Sequence, residues 1–489
     1  MTTINFPGLL HLVLPEIIVV ITALCVLSVD LIFLHASDMR LRSAAGAVLS
    51  LAGCAVAVAW ILHTPQSANV LDGMLVLNPL AQRMQIALLI LTMMTVLIFI
   101  GSNFTQHVSE YLSLLLLATV SMMFLVSTQN LLLIFLSLEL LSLSLYILTA
   151  FDKRSLRSAE SALKYFIFGG ISAAFLLFGA SLLYGLSNST SLAGIAGRIH
   201  GPLLDPLLIV AIVMTLVGLG FKVAAAPFHF WAPDVYQGAP APSAALIASG
   251  SKVAAFFILY QVMVIGLAGA EGSGAWHGYA PGWVPIAAII SVLSMVLGNL
   301  VAILQTSVRR LLAYSAIAHA GYMLLGIVSH TDQSFRALLY YAITYALTVL
   351  GAFGVVAVVE EGTGGDTVSD FSGLSRRAPV PSFCMLIFLL SLAGIPPLAG
   401  FFGKFYLFSS VLSSTPGTLG LLWLVVLAIA FSAVSLYYYL KVLKYIYVTN
   451  PPHGAPPIPV STLRQTVLCL IALSVVLLGC APNLLLQWL

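Results

Sequence analysis

Five ionisable side chains stand inside long runs of apolar residues: Glu139, Lys164, Lys222, Lys252 and Lys404. A charge at the centre of a membrane helix costs about 2.5–3.5 kcal/mol on insertion scales, so such residues need partners or water. Their chemistry is proton exchange. Burial disfavours the charged form of a lysine and a nearby carboxylate favours it, so a lysine whose partner can move is a switchable proton site. His319, in the run SAIAHAGYM, adds a group whose type can take up and release protons near neutrality. The candidate relay is therefore Glu139, Lys164, Lys222, Lys252, His319 and Lys404. Each has a plainer reading. Glu139 could be half of a static ion pair, and Lys222 and Lys404 could cap loose carbonyls of broken helices. Lys164, near a helix end, could snorkel to the interface, and His319 could be a hydrogen-bonded core residue.

The rest of the chain explains why these charges stand out. Of its 489 residues 61% are hydrophobic and 7% charged, with mean hydropathy +1.09. A soluble domain carries roughly 25% charged residues, so this chain must have lipid as its main solvent. A net charge of +3 is too small for binding a phosphate backbone, which excludes a nucleic-acid partner. The five cysteines form no C-x-x-C motif and read as small buried apolar side chains. Only His229 and His319 are placed for haem ligation, and the loop EGTGGD at 361–366 follows no strand, so neither haem nor a phosphate cradle is expected. The first basic residue is Arg40, so the opening apolar run reads as a spanning helix and not a cleaved signal.

About 20 apolar residues cross a bilayer. Punctuation by Pro, Gly, Asn and charge predicts fourteen spans, near 9–34, 43–63, 79–100, 111–127, 130–150, 160–186, 206–236, 242–268, 283–304, 309–329, 335–359, 380–413, 419–448 and 463–487. With that count, twelve Lys and Arg fall on one side and three on the other, so both termini are expected in the periplasm. Two spans contain breaks. Pro227 and Pro233 remove donors in the first, Pro396–Pro397 interrupt the second, and each break has a lysine close by, Lys222 and Lys404. Paired broken helices predict two inverted five-helix repeats, at 111–268 and 283–448. Residues 1–110 and 449–489 would flank them within a single membrane domain, 1–489. The fold class is thus an all-α polytopic membrane protein. Helical stripes such as Ser315/His319/Tyr322, Thr344/Thr348/Gly351 and Ser432/Ser435/Tyr439 could line a hydrated route, or serve as packing glue. Asp30 and Glu16 are expected to reach the interface, His229 to hold the first break, and Asp234 to cap its far side.

The stretches GLGFKVAAAPFHFWAPDVYQGAPAP (218–242), SLELLSLSLY (137–146), ALKYF (162–166), RRLLAYSAIAHAGYMLLG (309–326) and SLAGIPPLAGFFGKFY (391–406) resemble the antiporter-like membrane subunits of respiratory complex I. The likeness covers about 75–450, and the DVYQGAP run with Lys404 favours the N-type subfamily. The resemblance implies that Glu139 modulates Lys222, that Lys252 and His319 continue a central relay, and that Lys404 is the exit-side site. Lys164 would meet a neighbouring subunit or Glu139. It implies a proton-translocating subunit in a bacterial inner membrane that binds no cofactor itself, with NADH, FMN, iron–sulfur clusters and quinone in partner subunits of the NADH–quinone oxidoreductase complex. A cation/proton antiporter subunit or a membrane-bound hydrogenase subunit shares the same features.

Overall fold

The computed structural model describes residues 6–65, 67–199, 205–414, 420–451 and 455–489. The described chain is mostly helical, and twelve of its helices are long and apolar enough to cross a membrane. In chain order the first six are α1 (Leu14–Leu34), α2 (Met39–His63), α3 (Pro79–Phe99), α4 (Val108–Val126), α5 (Leu131–Thr149) and α6 (Leu156–Ser187). The predicted span 206–236 is divided into α7 (Pro206–Lys222) and α8 (Trp231–Gly238). Next come α9 (Ala241–Gly266), α10 (Trp283–Ile303), α11 (Val308–Val328) and α12 (Asp332–Thr363). The predicted span 380–413 is likewise two helices, α13 (Pro379–Ala393) and α14 (Ala399–Ser413). α15 (Leu422–Tyr447) and α16 (Thr462–Cys480) complete the set.

Helix starts follow from capping chemistry. A side-chain oxygen accepts an otherwise orphaned backbone N–H: Asn78 from Ala81 before α3, Asn130 from Leu132 before α5, and Ser307 from Arg310 before α11. α6 and α12 end on left-handed residues, Asn188 (φ +50°) and Gly364 (φ +77°).

The chain forms two compact units. The first comprises Met1–Gly218, Gly238–Leu246 and Phe257–Gly269; the second comprises Leu219–Gln237, Ile247–Phe256 and Ala270–Leu489. In the first unit the expectation that Glu16 and Asp30 reach the interface is overturned. Both are buried, at 2% and 4% exposure. Glu16 accepts a 2.6 Å hydrogen bond from Gln85, and Asp30 is gripped by Arg42 through two bonds of 2.7 and 2.6 Å and by Ser109 at 2.7 Å. At Asp30 internal partners take the place of water, while Glu16 meets Gln85 through one oxygen and buries the other without a hydrogen bond. The cysteine expectation also changes: Cys54 and Cys384 are buried, whereas Cys25, Cys469 and Cys480 lie on outward helix faces.

In the second unit α11 and α12 are almost wholly buried. The first break runs from Val223 to Phe230, with a cis Ala226–Pro227 bond and Ala224 at φ +57°. Its freed backbone groups find other partners: Ala225 N donates to Gly220 O at 2.9 Å, Ala226 N donates to Ser294 Oγ on α10 at 2.8 Å, and Phe221 O accepts from the Trp231 indole at 3.0 Å. Pro233 causes no interruption, because it sits in the first turn of α8, where no intrahelical donor is needed. The second break turns at Gly394 (φ +86°), followed by a cis Pro396–Pro397 bond. Its helices approach closely at Gly400, where a Cβ would stand 1.9 Å from Ser391 O.

Candidate functional site

The second unit brings three of the predicted residues into one buried polar cluster. Lys252 and His319 are each 2% exposed and Lys404 is 5% exposed. Lys252, on α9, donates 2.6 Å to the carbonyl of Ala316 on α11, and its Nζ lies 5.8 Å from the centre of the Tyr345 ring. His319, also on α11, faces three rings: Tyr345 at 4.9 Å, Tyr322 at 5.7 Å and Tyr341 at 5.9 Å between centroids. Both imidazole nitrogens are engaged. Nδ1 is 2.6 Å from the Tyr341 hydroxyl and Nε2 is 3.2 Å from that of Tyr439. The Tyr439 hydroxyl in turn bonds Ser315.

Lys404, on α14, turns back over the break. Its Nζ donates to the carbonyls of Leu392 (3.0 Å) and Ala393 (3.2 Å), the last residues of α13, and to Ser432 Oγ (2.8 Å) on α15. The face of Tyr322 lies 5.1 Å from the same nitrogen. Asn299 ties two further rings into the cluster, donating to Tyr322 and accepting from Tyr438, both at 3.1 Å. Hydroxyls and an imidazole can each accept one proton and release another. Groups of this kind can exchange protons with their hydrogen-bonded neighbours, as apolar side chains cannot.

Residues 128–432 match the family described as NADH:quinone oxidoreductase/Mrp antiporter, TM. Over its whole length the chain is 55% identical to NADH-quinone oxidoreductase subunit N 2 of Acidobacterium capsulatum, and covers 100% of it. The chain belongs to the NADH-quinone oxidoreductase subunit N family. A chain of respiratory complex I from Thermus thermophilus with bound Aureothin superposes on this subunit N fold with a TM-score of 0.79 at 33% identity, covering 97% of this chain and 98% of that one. A chain of an archaeal membrane-bound sulfane sulfur reductase shares the fold at TM-score 0.82 and 22% identity, covering 98% and 96%. All six predicted relay residues of the subunit N chain fall inside the matched region.

The other three predicted residues have surroundings of their own to report. Lys222, half-buried, closes α7 at the edge of the first break, with Nζ 5.6 Å from the Phe221 ring centre. Glu139, in the first unit, is half-buried on α5. Lys164, on α6, pairs with Glu160 one turn earlier at 2.7 Å, a carboxylate that sequence reading did not single out. His229 is buried and stacks on Phe230, while Asp234 pairs with Arg310 at 2.6 Å and so ties α8 to α11.

Sequence reading also missed Tyr341, Tyr345, Tyr438 and Asn299. On α12 it picked out the Thr344/Thr348/Gly351 stripe, with helix packing as the preferred reading. There Thr344 and Thr348 bond carbonyls of their own helix at 2.9 and 2.7 Å, and a Cβ on Gly351 would press 2.3 Å from the Phe388 ring. That stripe is packing glue. The available signal was Tyr341, since a buried phenol hydroxyl usually needs a partner and this one finds His319.

Proposed function

We propose that this chain is a proton-translocating membrane subunit of a bacterial NADH–quinone oxidoreductase, and that Lys252, His319 and Lys404 with their tyrosines form the central part of its relay. The observation that carries the reading is that two lysines and a histidine, all nearly inaccessible, gather among tyrosine and serine side chains inside a membrane-spanning fold. A structural bundle has no need of such groups, each of which is costly to place in a low-dielectric interior.

The proposal extends to Glu139, Lys222 and Lys164 on the strength of family membership. Glu139 and Lys222 would supply the input side, and Lys164 with Glu160 would meet the charge network of a neighbouring membrane subunit. It extends also to fourteen crossings, counting each broken helix as one, with both termini periplasmic in the inner membrane. The two inverted repeats would be 111–268 and 283–448, flanked by 1–110 and 449–489. NADH, FMN, iron–sulfur clusters and quinone would act in partner subunits, so this chain contributes translocation and no redox step.

The test uses the assembled complex in inverted membrane vesicles. Lys222→Ala, Glu139→Ala and Lys404→Ala are expected to reduce NADH-driven proton uptake and the coupled quinone reductase rate sharply, at normal complex content. Parental pumping by all three rejects the relay.

A further inference from the structure

We propose that the pocket between Trp276 and Trp423 binds an amine-bearing zwitterionic phospholipid, with the ammonium among the two indoles and one acyl chain along α15. The segment joining α9 to α10 is closed into a hairpin by two backbone bonds between Ser273 and Ala280, of 2.9 and 3.0 Å, which puts Trp276 and His277 at its tip. The tip is tied twice to the start of α15. The Trp276 backbone N–H donates 3.0 Å to Gly420 O, and the Trp423 indole N–H donates 3.2 Å to Gly274 O. Between them lies a pocket of about 560 Å³, lined besides Gly420 by Trp276, His277, Leu422, Trp423, Val426 and Leu427. That volume falls in the range of small-molecule sites, about 300–1,000 Å³.

The pocket stands where a lipid head group would be. At about 1.5 Å per residue, α15 rises about 28 Å from Leu422 to Lys441, close to the roughly 30 Å hydrocarbon core. Lys441 and Lys444 therefore mark one water boundary, and the pocket lies at the other. Trp276 and Tyr279, both 73% exposed, are the amphipathic aromatic side chains of such a boundary. From the pocket Val426 and Ile429, each more than half exposed, continue an apolar track along α15 into the hydrocarbon.

The lining selects the head group. Among the described residues that form it there is no Lys or Arg to hold a purely anionic head group. Trp423 has committed its N–H to Gly274, so what it offers a ligand is its π system. An ammonium is attracted to an aromatic face, most strongly to that of tryptophan. The His277 imidazole supplies an N–H for the phosphate. A head group with one ammonium and one phosphate matches both. The site neither uses nor needs the proton relay.

The test places the assembled complex in nanodiscs with a phosphatidylethanolamine that carries a diazirine in one acyl chain, and with the matching phosphatidylglycerol as control. After irradiation, peptide mapping should find the ethanolamine probe on residues 422–429 at about fivefold or more over the glycerol probe, the scale of a lost cation–π contact. Trp276→Leu keeps the backbone bond to Gly420 and removes the indole, so it should bring the ethanolamine probe down to the glycerol level. Trp423→Leu should do the same. Trp276→Phe retains a π face and should keep about half of the labelling or more. Equal labelling by the two probes, or labelling that Trp276→Leu leaves unmoved, overturns the proposal. An unlabelled pocket that instead cross-links to a neighbouring subunit overturns it too, because protein then covers the site. Lys404→Ala, which tests the relay, should leave the labelling unchanged, so the two readings fail separately.

Discussion

The Nδ1 atom of His319 and the hydroxyl of Tyr341 lie 2.6 Å apart, and with Tyr439 at 3.2 Å on Nε2 they hold the imidazole by both nitrogens. A neutral imidazole carries one N–H and one lone pair. Held this way, the ring can receive a proton on one side and yield one on the other without leaving its place.

Tyr341→Phe keeps the ring that His319 leans on and removes the hydroxyl. A single lost hydrogen bond costs about 1 kcal/mol net, and a buried group left unsatisfied about 1–3 kcal/mol. Complex content by native gel should therefore be close to normal. Proton uptake should fall severalfold while His319→Ala falls further. Tyr341→Phe at parental pumping would show that the Nδ1 contact only positions the ring.

Gly394→Ala addresses the second break. Gly394 has φ +86°, which L residues adopt at a cost of roughly 1–2 kcal/mol. A Cβ there would also stand 3.2 Å from Lys404 Cδ and 3.3 Å from its Nζ. The expected outcome is a complex that assembles with a lowered thermal midpoint and a marked loss of pumping, because the lysine must shift from the α13 carbonyls. A drop in stability with pumping per assembled complex unchanged would separate the glycine from the lysine.

The membrane class was legible from the apolar composition, and the two broken segments and the three residues that share one buried cluster, Lys252, His319 and Lys404, were legible because each violates the apolar rule of the chain, and a violation in oil is costly enough to stand out. Lys404 shows both readings at once: it caps the α13 carbonyls, and it also reaches a hydroxyl. Tyrosines 341, 345 and 438 were harder to see, since a tyrosine reads equally well as core bulk. Only the fold turns the Tyr341 hydroxyl to His319 and that of Tyr438 to Asn299. Asp30 misled for a related reason. Near a helix end it could have met water, and nothing local in the sequence announces that Arg42 and Ser109 come from other helices to meet it.

Asp30→Ala should act on stability and not on proton transfer. Asp30 is 4% exposed and holds Arg42 by two bonds. Removing one partner of a buried pair typically costs about 3–5 kcal/mol, because the other charge is left uncompensated. Complex content should drop strongly, while pumping per remaining complex stays near the parent. Arg42→Met combined with Asp30→Ala should recover part of the content, since it removes the stranded guanidinium. No recovery in the double variant would mean that the lost Ser109 contact, at 2.7 Å, carries the effect.

The contact between Asp234 and Arg310 tests how the first break is held. The pair joins α8 to α11 at 2.6 Å, while the adjacent Arg309 donates 3.0 Å to the Gln237 carbonyl and pairs with Glu360. Asp234 and Arg310 are both more than a quarter exposed, so screening limits the pair to about 0.2–1 kcal/mol. Asp234→Asn alone should therefore assemble normally. If the pair fixes the angle of α8, pumping should fall in Asp234→Arg and in Arg310→Asp, and return in the swapped double variant. The double-mutant cycle is the deciding measurement: additive losses would show that the two residues act separately, and a coupled recovery would show that their attraction sets the half-helix in place.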